Sequence, residues 1–325
     1  MGFPKLEVSD FSNLILEVHT VGYPVMGESI VTMLKDSGKV LFTMITDCFR
    51  TSEADIVTDI LNQNGKPSID VLVWTHPDED HSVGIETLME TFDSTHQAKI
   101  YIPSGIHQDF INNDAAKNAL TYLYENYDER TKYSLNPIGS VQGLKPLNLA
   151  FEIKERISNR IIFGSIHFLL PNTSMAFRRA FTGARNSGDM NDLSVVYVLV
   201  INGVRYFFGA DLTKASIKFL TGDNCQPLDN IRYIKIPHHG SKDPIQLTGL
   251  LKPIGEKMAV ATTTVYNTSN PDSDTLDEYE RLCAYVSSTD RGSYPFGDVQ
   301  LDFNVSDLSV PKALYAGNAK QVRPR

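Results

Sequence analysis

Two histidines and two carboxylates capable of binding a metal ion lie within six consecutive positions, from His76 to His81. They belong to the segment Thr-His-Pro-Asp-Glu-Asp-His at residues 75–81, which follows an apolar run at residues 69–74. The apolar run predicts a buried strand that would deliver these side chains to one edge of a sheet. Charged groups at this density are costly to bury unless a cation neutralises them. The spacing therefore predicts a divalent metal site.

Three more apolar runs end in an acid or a histidine, namely Asp47, Asp211 and the pair His238-His239. If these strands are neighbours, their ends gather the side chains along the sheet edge at which α/β folds carry their sites. Imidazole and carboxylate together suit zinc or manganese, and the absence of cysteine at these points disfavours a closed structural zinc site. By residue type alone, Asp47 is predicted to be a turn or helix cap.

The composition is that of a soluble globular protein, with 42% hydrophobic and 21% charged residues among 325. The net charge of −9 argues against wide, non-specific nucleic-acid binding, although a local basic groove remains compatible with it. Three scattered cysteines fit a reducing cytoplasm. No apolar run is long enough for a membrane span, and the N-terminus lacks the features of a secretory signal. We therefore expect a cytoplasmic protein without membrane contact.

Apolar periodicity predicts strands followed by helices in both halves of the chain. The strands are expected near residues 14–19, 29–34, 40–47, 98–103, 161–170, 194–201, 204–209, 231–236, 257–265 and 298–303. The helices are expected near residues 52–64, 85–92, 106–130, 243–252 and 274–287. Ser52 is predicted to cap the first helix, and turns at Ser37-Gly38 and Asn202-Gly203 predict two hairpins. The pattern favours an α/β fold with helices outside packed sheets.

Several motifs in order resemble the metallo-β-lactamase fold, whose hallmark is His-X-His-X-Asp-His after a buried strand. The matching segments are residues 21–30, 41–48, 76–81, 191–196, 207–211 and 236–242. The last of these, Ile-Pro-His-His-Gly-Ser-Lys, is similar to a segment of the nuclease-like domain of ComEC-type competence proteins. The resemblance covers roughly residues 14–303. It implies an αββα sandwich, with two packed mixed β-sheets and helices on the outer faces.

The same resemblance implies that residues 1–325 form one domain, with an insertion at roughly 104–160 and a short C-terminal tail from about residue 304. It also implies one or two divalent ions, zinc or manganese, with magnesium as a further candidate. The implied ligands are His76 and Asp78 for the first ion, Asp80 and His81 for the second, and Asp211 as the bridge, with His238 as a further ligand.

Three positions depart from the hallmark of the fold. Asp78 stands where the hallmark has histidine. A carboxylate oxygen is a harder ligand than an imidazole nitrogen, so the metal preference of the site shifts from zinc toward manganese or magnesium. The third histidine of the fold falls at Asn191 or Asp192, and the late histidine falls at Asn270. The loss of the late histidine leaves the second ion with few ligands unless His238 or His239 supplies one.

The resulting expectation is metal-dependent hydrolysis of a phosphodiester, in nucleic acid or in a small molecule. Metal binding lowers the pKa of water toward 7, and Asp80 is the expected group to orient or deprotonate that water. His238 and His239 are expected to bind a phosphate oxygen or to protonate the leaving group. Lys242 is a candidate phosphate contact.

The loop at residues 177–185 is basic with interleaved aromatic residues. Arg178, Arg179 and Arg185 are therefore candidate substrate-binding residues, although an ordinary solvated loop explains the pattern at least as well. Two other functions stay open for the chain. One is hydrolysis of a small ester, lactone or amide, for which this fold is also used. The other is a catalytically degenerate protein that binds a metal or a partner.

Overall fold

Two tight turns establish the hairpins expected from the sequence. In the computed structural model of the chain, Ser37 and Gly38 have φ values of 50° and 86°, and Asn202 and Gly203 have φ values of 50° and 80°. Positive φ at both central residues is the requirement of a type I′ turn, whose twist matches that of the two strands it joins. Both predicted hairpins are confirmed, because the flanking strands pair antiparallel in each case.

The structure describes residues 5–8, 13–92, 98–106, 108–126, 133–139, 147–156, 159–171, 190–220 and 228–323. Within these ranges the strands form two sheets. In spatial order, the first sheet contains β1 (Lys5–Val8), β8 (Leu147–Glu155), β9 (Ile161–Leu170), β10 (Val196–Ile201), β11 (Val204–Phe208), β12 (Ile231–Lys235), β13 (Val260–Thr263), β14 (Val286–Ser288) and β17 (Lys320–Arg323).

In spatial order, the second sheet contains β16 (Lys312–Gly317), β15 (Gly297–Asn304), β2 (Leu14–Gly22), β3 (Glu28–Asp36), β4 (Lys39–Thr46), β5 (Val71–Val73), β6 (Ala98–Pro103) and β7 (Tyr133–Ile138). Both sheets are mixed. The run β4 to β7 in the second sheet is parallel, and so is the run β11 to β14 in the first. The expected α/β class with two mixed sheets is therefore confirmed.

Five α-helices lie among the described residues. They are α1 (Ile56–Gln63), α2 (Ile85–Phe92), α3 (Asp114–Glu125), α4 (Lys214–Ile217) and α5 (Ser273–Leu282). Short 3₁₀ turns complete the regular structure at Glu79–His81, Gln108–Phe110, Asn191–Leu193, Lys218–Leu220, His238–Gly240 and Ile245–Gly249. No helix in the described part of the chain is long and apolar enough to cross a membrane.

Three apolar cores hold the layers together. The central core takes buried side chains from both sheets, and within it the rings of Phe42 and Phe151 lie 5.1 Å apart. A second core joins the outer face of the second sheet to α1, α2 and α3. A third joins the outer face of the first sheet to α4 and α5. The sheets therefore pack face to face, with helices on their outer surfaces, because each sheet has two apolar faces to bury.

The expected helix boundaries were wrong at several points. The first helix begins at Ile56 rather than near residue 52, because the carboxylate of Asp55, not Ser52, accepts the backbone N–H of Thr58. Helix α3 begins only at Asp114, capped by Asn113. Residues 127–130 lie outside the described residues. The helix expected at 243–252 is only the 3₁₀ turn Ile245–Gly249.

The remaining segments that differ from the sequence-based expectation contribute strands to the sheets. The helix expected at 274–287 ends at Leu282, because the chain then runs as β14 parallel to β13. The stretch expected as an insertion at 104–160 contributes α3, β7 and β8, and thus adds strands to both sheets. The segment expected as a tail from about residue 304 forms β16 and β17.

Candidate metal centre

The candidate site lies where the parallel strands of both sheets end. Strand β4 ends before Asp47, and β5 ends before the segment 75–81. In the other sheet β11 leads to Asp211, and β12 leads to the pair at 238–239. The carboxyl ends of parallel neighbours meet at one edge, so the topology brings the four segments together. The sequence predicted this gathering of strand ends.

Two groups of donor atoms have the spacing of metal ligands. One group is His76, His81 and Asp211, and the other is Asp80, His81 and His239; within each group the donor atoms lie within 4.8 Å of one another. The Nε2 atom of His81 lies 3.6 Å from Oδ1 of Asp211, and the Nε2 atom of His239 lies 3.1 Å from Oδ2 of Asp80. Ligands about 2.1 Å from one tetrahedral ion are about 3.4 Å apart, so these separations suit a shared cation.

Four of the five residues in these groups have a buried donor atom without a hydrogen-bond partner among the described residues. These atoms are the Nε2 atoms of His76, His81 and His239 and the Oδ1 atom of Asp211. Each side chain is almost fully buried, with at most 4% of the residue exposed. A buried polar atom without a partner is costly, and several of them pointing at one another cost more. One or two divalent cations would satisfy these atoms, so the residues present fit a metal site.

The hydrogen bonds behind two of the rings determine which nitrogen faces the centre. Asp47 accepts bonds from the backbone N–H of Thr75 at 2.7 Å and from its hydroxyl at 2.6 Å. Because the one hydrogen of that hydroxyl goes to Asp47, its oxygen accepts from Nδ1 of His76, 3.0 Å away. Nδ1 of His81 lies 2.7 Å from the same carboxylate. In the neutral rings of His76 and His81, Nδ1 therefore carries the hydrogen and Nε2 offers its lone pair inward.

Asp47 was predicted to be a turn or helix cap, and that prediction was wrong. The residue is 1% exposed and its carboxylate contacts Thr75 and His81 instead of capping a helix. Carboxylates of this kind hold metal-binding histidines in one orientation and make them better ligands. The sequence showed Asp47 at the end of a strand, but its partners lie in the segment that follows the neighbouring strand β5.

The charges in the cluster shift its pKa values strongly. Burial alone would raise the pKa of Asp211, but the surrounding imidazoles outweigh burial and hold it far below its usual range. The pKa of Asp80 falls to about 2, because His81 and His239 outweigh the effect of its burial. Burial would lower the pKa of His81, but the carboxylates of Asp80, Asp47 and Asp211 raise it well above the usual value. The carboxylates therefore stay ionised and favour a positive charge at their centre.

His239, rather than His238, lies at ligand spacing. The sequence placed His238 among the ligands and the catalytic residues, and His239 among the catalytic residues. The side chain of His239 is 1% exposed and its Nε2 lies 3.7 Å from Oδ2 of Asp211. The side chain of His238 is 29% exposed, with Nε2 3.9 Å from the same oxygen. His238 therefore lies at the rim of the cluster and His239 lies inside it.

Asp78 also lies toward the rim, with its side chain 26% exposed and Oδ2 3.6 Å from Nε2 of His76. Asn191 and Asp192 were the alternative positions expected for a third histidine. The Oδ1 atom of Asn191 is buried without a hydrogen-bond partner among the described residues, and Asp192 accepts a bond from the hydroxyl of Thr213 at 2.9 Å. The backbone carbonyl of Asn270, where a late histidine was expected, accepts from Arg291 at 2.6 Å. Asp192 does not belong to the two donor groups.

The expected substrate-binding residues lie apart from the cluster or outside the described residues. Lys242 is exposed and pairs with Asp274. Arg178, Arg179 and Arg185 fall on residues that the structure does not describe. Trp74, which follows β5, is fully buried, and its ring N–H donates to Ser82 over 3.1 Å.

Sequence reasoning missed Tyr266. Its ring stacks on that of His239, with centroids 4.9 Å apart and planes inclined by 24°. Burial raises the pKa of Tyr266, and the negative charges of Asp80 and Asp211 raise it further. The hydroxyl therefore stays protonated near neutral pH and can donate a hydrogen bond. A lone tyrosine in a loop carries no sequence signal for this role.

Four of the twelve non-glycine residues with positive φ in the described part of the chain lie at the centre. Asp47, Ala210, His238 and His239 have φ values of 54°, 44°, 50° and 52°. The left-handed region is unfavourable for residues with a Cβ, and asparagine and aspartate tolerate it best. Such conformations persist where the surrounding structure enforces them, and they cluster at functional sites. Three of the four residues lie at or beside proposed metal ligands.

No family model matches the chain, and no curated protein matches it.

Proposed function

We propose that the protein is a metal-dependent hydrolase of the metallo-β-lactamase fold that acts on phosphodiesters. The observation that carries the proposal is the set of buried, unpartnered donor atoms on His76, His81, His239 and Asp211. Two mixed sheets with outer helices, and a site at the ends of their parallel strands, support the fold assignment. The motifs at residues 76–81 and 236–242 support it from the sequence.

Two ions would be held by overlapping sets of ligands. His76 and Asp211, with Asp78 at the rim, would hold one ion, and Asp80, His81 and His239 would hold the other. Asp211 has an oxygen 3.6 Å from Nε2 of His81 and another 3.9 Å from Nε2 of His76, so one carboxylate can serve both positions. Bound divalent ions would polarise the scissile group and lower the pKa of water toward neutrality.

Asp80 and the residues at the rim supply the remaining functions. Asp80 stays ionised, so it can orient a water molecule by accepting a hydrogen bond. His238 is partly exposed beside Asp211, and its imidazole can bind a phosphate oxygen or protonate a leaving group. Tyr266 can donate its hydroxyl hydrogen to a substrate oxygen. We favour a phosphodiester as the substrate because it is anionic. Its negative charge would be attracted to the bound metal ions and to the hydrogen-bond donors around them.

The experiment compares metals and substrates side by side. Purified protein is dialysed against zinc, manganese or magnesium, and its bound metal is counted by elemental analysis. Hydrolysis is then measured with bis-p-nitrophenyl phosphate, plasmid, single-stranded DNA and RNA, and with p-nitrophenyl acetate as a small ester. The test variant is Asp80→Asn, and the matched control is Asp59→Asn, which removes an exposed carboxylate on α1.

The expected result is phosphodiester cleavage that requires the metal, is lost in Asp80→Asn and is retained in Asp59→Asn. If only p-nitrophenyl acetate is cleaved, the substrate class is a small ester and not a phosphodiester. Absence of bound or bindable metal in the wild type would overturn the catalytic proposal and leave a degenerate member of the fold.

A further inference from the structure

A buried ion pair lies behind the candidate metal centre. The Nζ atom of Lys235 lies 2.7 Å from Oε2 of Glu28, and both residues are at most 1% exposed. Lys235 ends β12 in the first sheet and Glu28 begins β3 in the second, so the pair bridges the sandwich. A buried ion pair is a poor source of stability because desolvation offsets its attraction. Its position therefore suggests a functional reason for it.

A chain of hydrogen bonds runs from this pair to His239. The hydroxyl of Thr264 donates to Oε2 of Glu28 over 2.5 Å, and Nδ1 of His239 lies 2.8 Å from the same hydroxyl oxygen. A threonine hydroxyl has one hydrogen, and here the ionised carboxylate takes it. The oxygen must therefore accept from Nδ1–H of His239. This leaves the Nε2 lone pair facing Asp80 and Asp211.

The arrangement repeats the one behind His76. There a threonine hydroxyl, that of Thr75, joins Nδ1 of the ring to the carboxylate of Asp47. The two arrangements come from different strands, and both leave Nε2 buried and without a hydrogen-bond partner among the described residues. The carboxylate of Glu28, however, also forms an ion pair with Lys235. The positive charge of Lys235 keeps this carboxylate ionised and able to accept hydrogen bonds.

The backbone at His239 is left-handed, with a φ of 52°, a conformation that persists only where the surrounding structure enforces it. The bond to Thr264 and the stacking of Tyr266 at 4.9 Å help to hold the ring. The hydroxyl of Thr264 also selects the ring nitrogen that faces the centre, which stacking alone cannot do.

We propose that Glu28 and Lys235, acting through Thr264, position His239 as the protein ligand that completes the second metal position. This inference rests on the proposed metal centre. It assigns to His239 the ligand function that the resemblance would have given to a histidine at the position of Asn270. Glu28, Lys235 and Thr264 are positioning residues, since none of them is in the two donor groups.

The test variant is Thr264→Val, which removes the hydroxyl and keeps the branched shape. The matched control is Thr262→Val, because Thr262 is equally buried but bonds to the hydroxyls of Thr20 and Tyr233 instead of His239. Thr264→Ser restores the hydroxyl and serves as the rescue. Zinc and manganese binding are measured by calorimetric titration, and ring-nitrogen NMR of the metal-free proteins reports which nitrogen of His239 carries the hydrogen.

We expect the wild type and Thr262→Val to bind two ions. In Thr264→Val the second ion should bind about 10- to 100-fold more weakly, as is typical when a bond behind a metal-binding histidine is removed. Thr264→Ser should recover most of the affinity. In the metal-free wild type, the neutral ring of His239 should carry its hydrogen on Nδ1, and Thr264→Val should show a mixture of both forms.

Two outcomes would overturn the inference in distinguishable ways. If the wild type binds metal and Thr264→Val binds it as tightly as Thr262→Val does, the positioning role is wrong while the metal centre stands. If the wild type binds neither zinc nor manganese, the metal centre itself is wrong and the inference falls with it.

Discussion

Nδ1 of His81 donates to the Oδ2 atom of Asp47 over 2.7 Å, although the two residues are 34 positions apart in the chain. The same oxygen accepts the hydroxyl of Thr75, which in turn orients His76. One buried carboxylate therefore fixes the direction of two imidazole rings. Its own backbone has a φ of 54°, which aspartate and asparagine tolerate better than most residues.

Asp47→Asn should weaken metal binding while preserving the fold. Asparagine keeps the size of the side chain and tolerates positive φ, but its amide has only one acceptor oxygen. Its NH₂ group must therefore face either the backbone N–H of Thr75 or the donors of His81 and the Thr75 hydroxyl. We expect about a 10- to 100-fold loss of zinc or manganese affinity in a calorimetric titration. The far-ultraviolet circular dichroism spectrum should be unchanged. Wild-type affinity in this variant would show that Asp47 does not orient the rings.

His238→Gly and His238→Ala should differ in stability but not in activity. Both variants remove the imidazole at the rim, so both should lose phosphodiester hydrolysis to the same extent. Only glycine relieves the left-handed backbone, whose φ is 50°. The glycine variant should therefore be more stable than the alanine variant by about 1 kcal/mol in urea unfolding. Equal stabilities would mean that no strain is stored at this residue.

Tyr266→Phe should lower hydrolysis and leave metal binding intact. The phenyl ring can still stack on His239, so the ligand stays in place, but the hydroxyl donor is lost. A hydrogen bond to a charged group contributes about 1.5–3 kcal/mol, which corresponds to a loss of about 10- to 100-fold in kcat/KM. Tyr285→Phe is the control, because its hydroxyl donates to Pro311 in the core. Equal rates for both variants would exclude a substrate contact by Tyr266.

Stability should fall as the pH rises above neutrality because of His19. Burial alone would lower the pKa of His19, but the carboxylates of Asp298 and Glu17 raise it from 6.5 to about 9. The folded pKa is above the unfolded one, so this stabilisation is complete below about pH 6.5 and disappears as the pH passes 9. The difference amounts to about 3 kcal/mol, since a tenfold change in a pKa equilibrium is worth about 1.4 kcal/mol.

Urea unfolding between pH 6 and pH 10 measures this effect. Lys35 also faces Glu17, at 2.5 Å, so the wild type is compared with His19→Gln in order to isolate the histidine. The wild type should lose stability relative to His19→Gln across this range. Parallel curves for the two proteins would mean that His19 does not hold its extra proton in the folded state.

The sequence predicted the strand ends well because short-range patterns determine them. The hairpin at Asn202-Gly203 was predicted from the preference of these two residues for positive φ. The dense cluster at residues 76–81 indicated the candidate site. The choice between His238 and His239 required the structure, since neighbouring residues in a left-handed turn point in different directions. The roles of Glu28 and Thr264 depend on contacts between the two sheets, which no local pattern encodes.

Helix boundaries were harder to predict than strands, because more than one residue can cap a helix and the same segment can suit a helix or a strand. Ser52 and Asp55 are both good capping residues, and only the bond from Thr58 decides between them. The segment after Leu282 has apolar residues that suit either a helix or a strand, and pairing with β13 selects the strand. Tertiary pairing of this kind overrides intrinsic preference.

The order of strands along the chain has a consequence for assembly. The first sheet contains β1, β8 to β14 and β17, whereas the second contains β2 to β7 with β15 and β16. No contiguous fragment therefore contains one complete sheet, as described, without strands of the other. The donor atoms at 76–81 come from the second sheet, and those at 211 and 239 come from the first. A cation that requires both sets can bind only after the sheets have docked, which makes its uptake a direct readout of sheet docking.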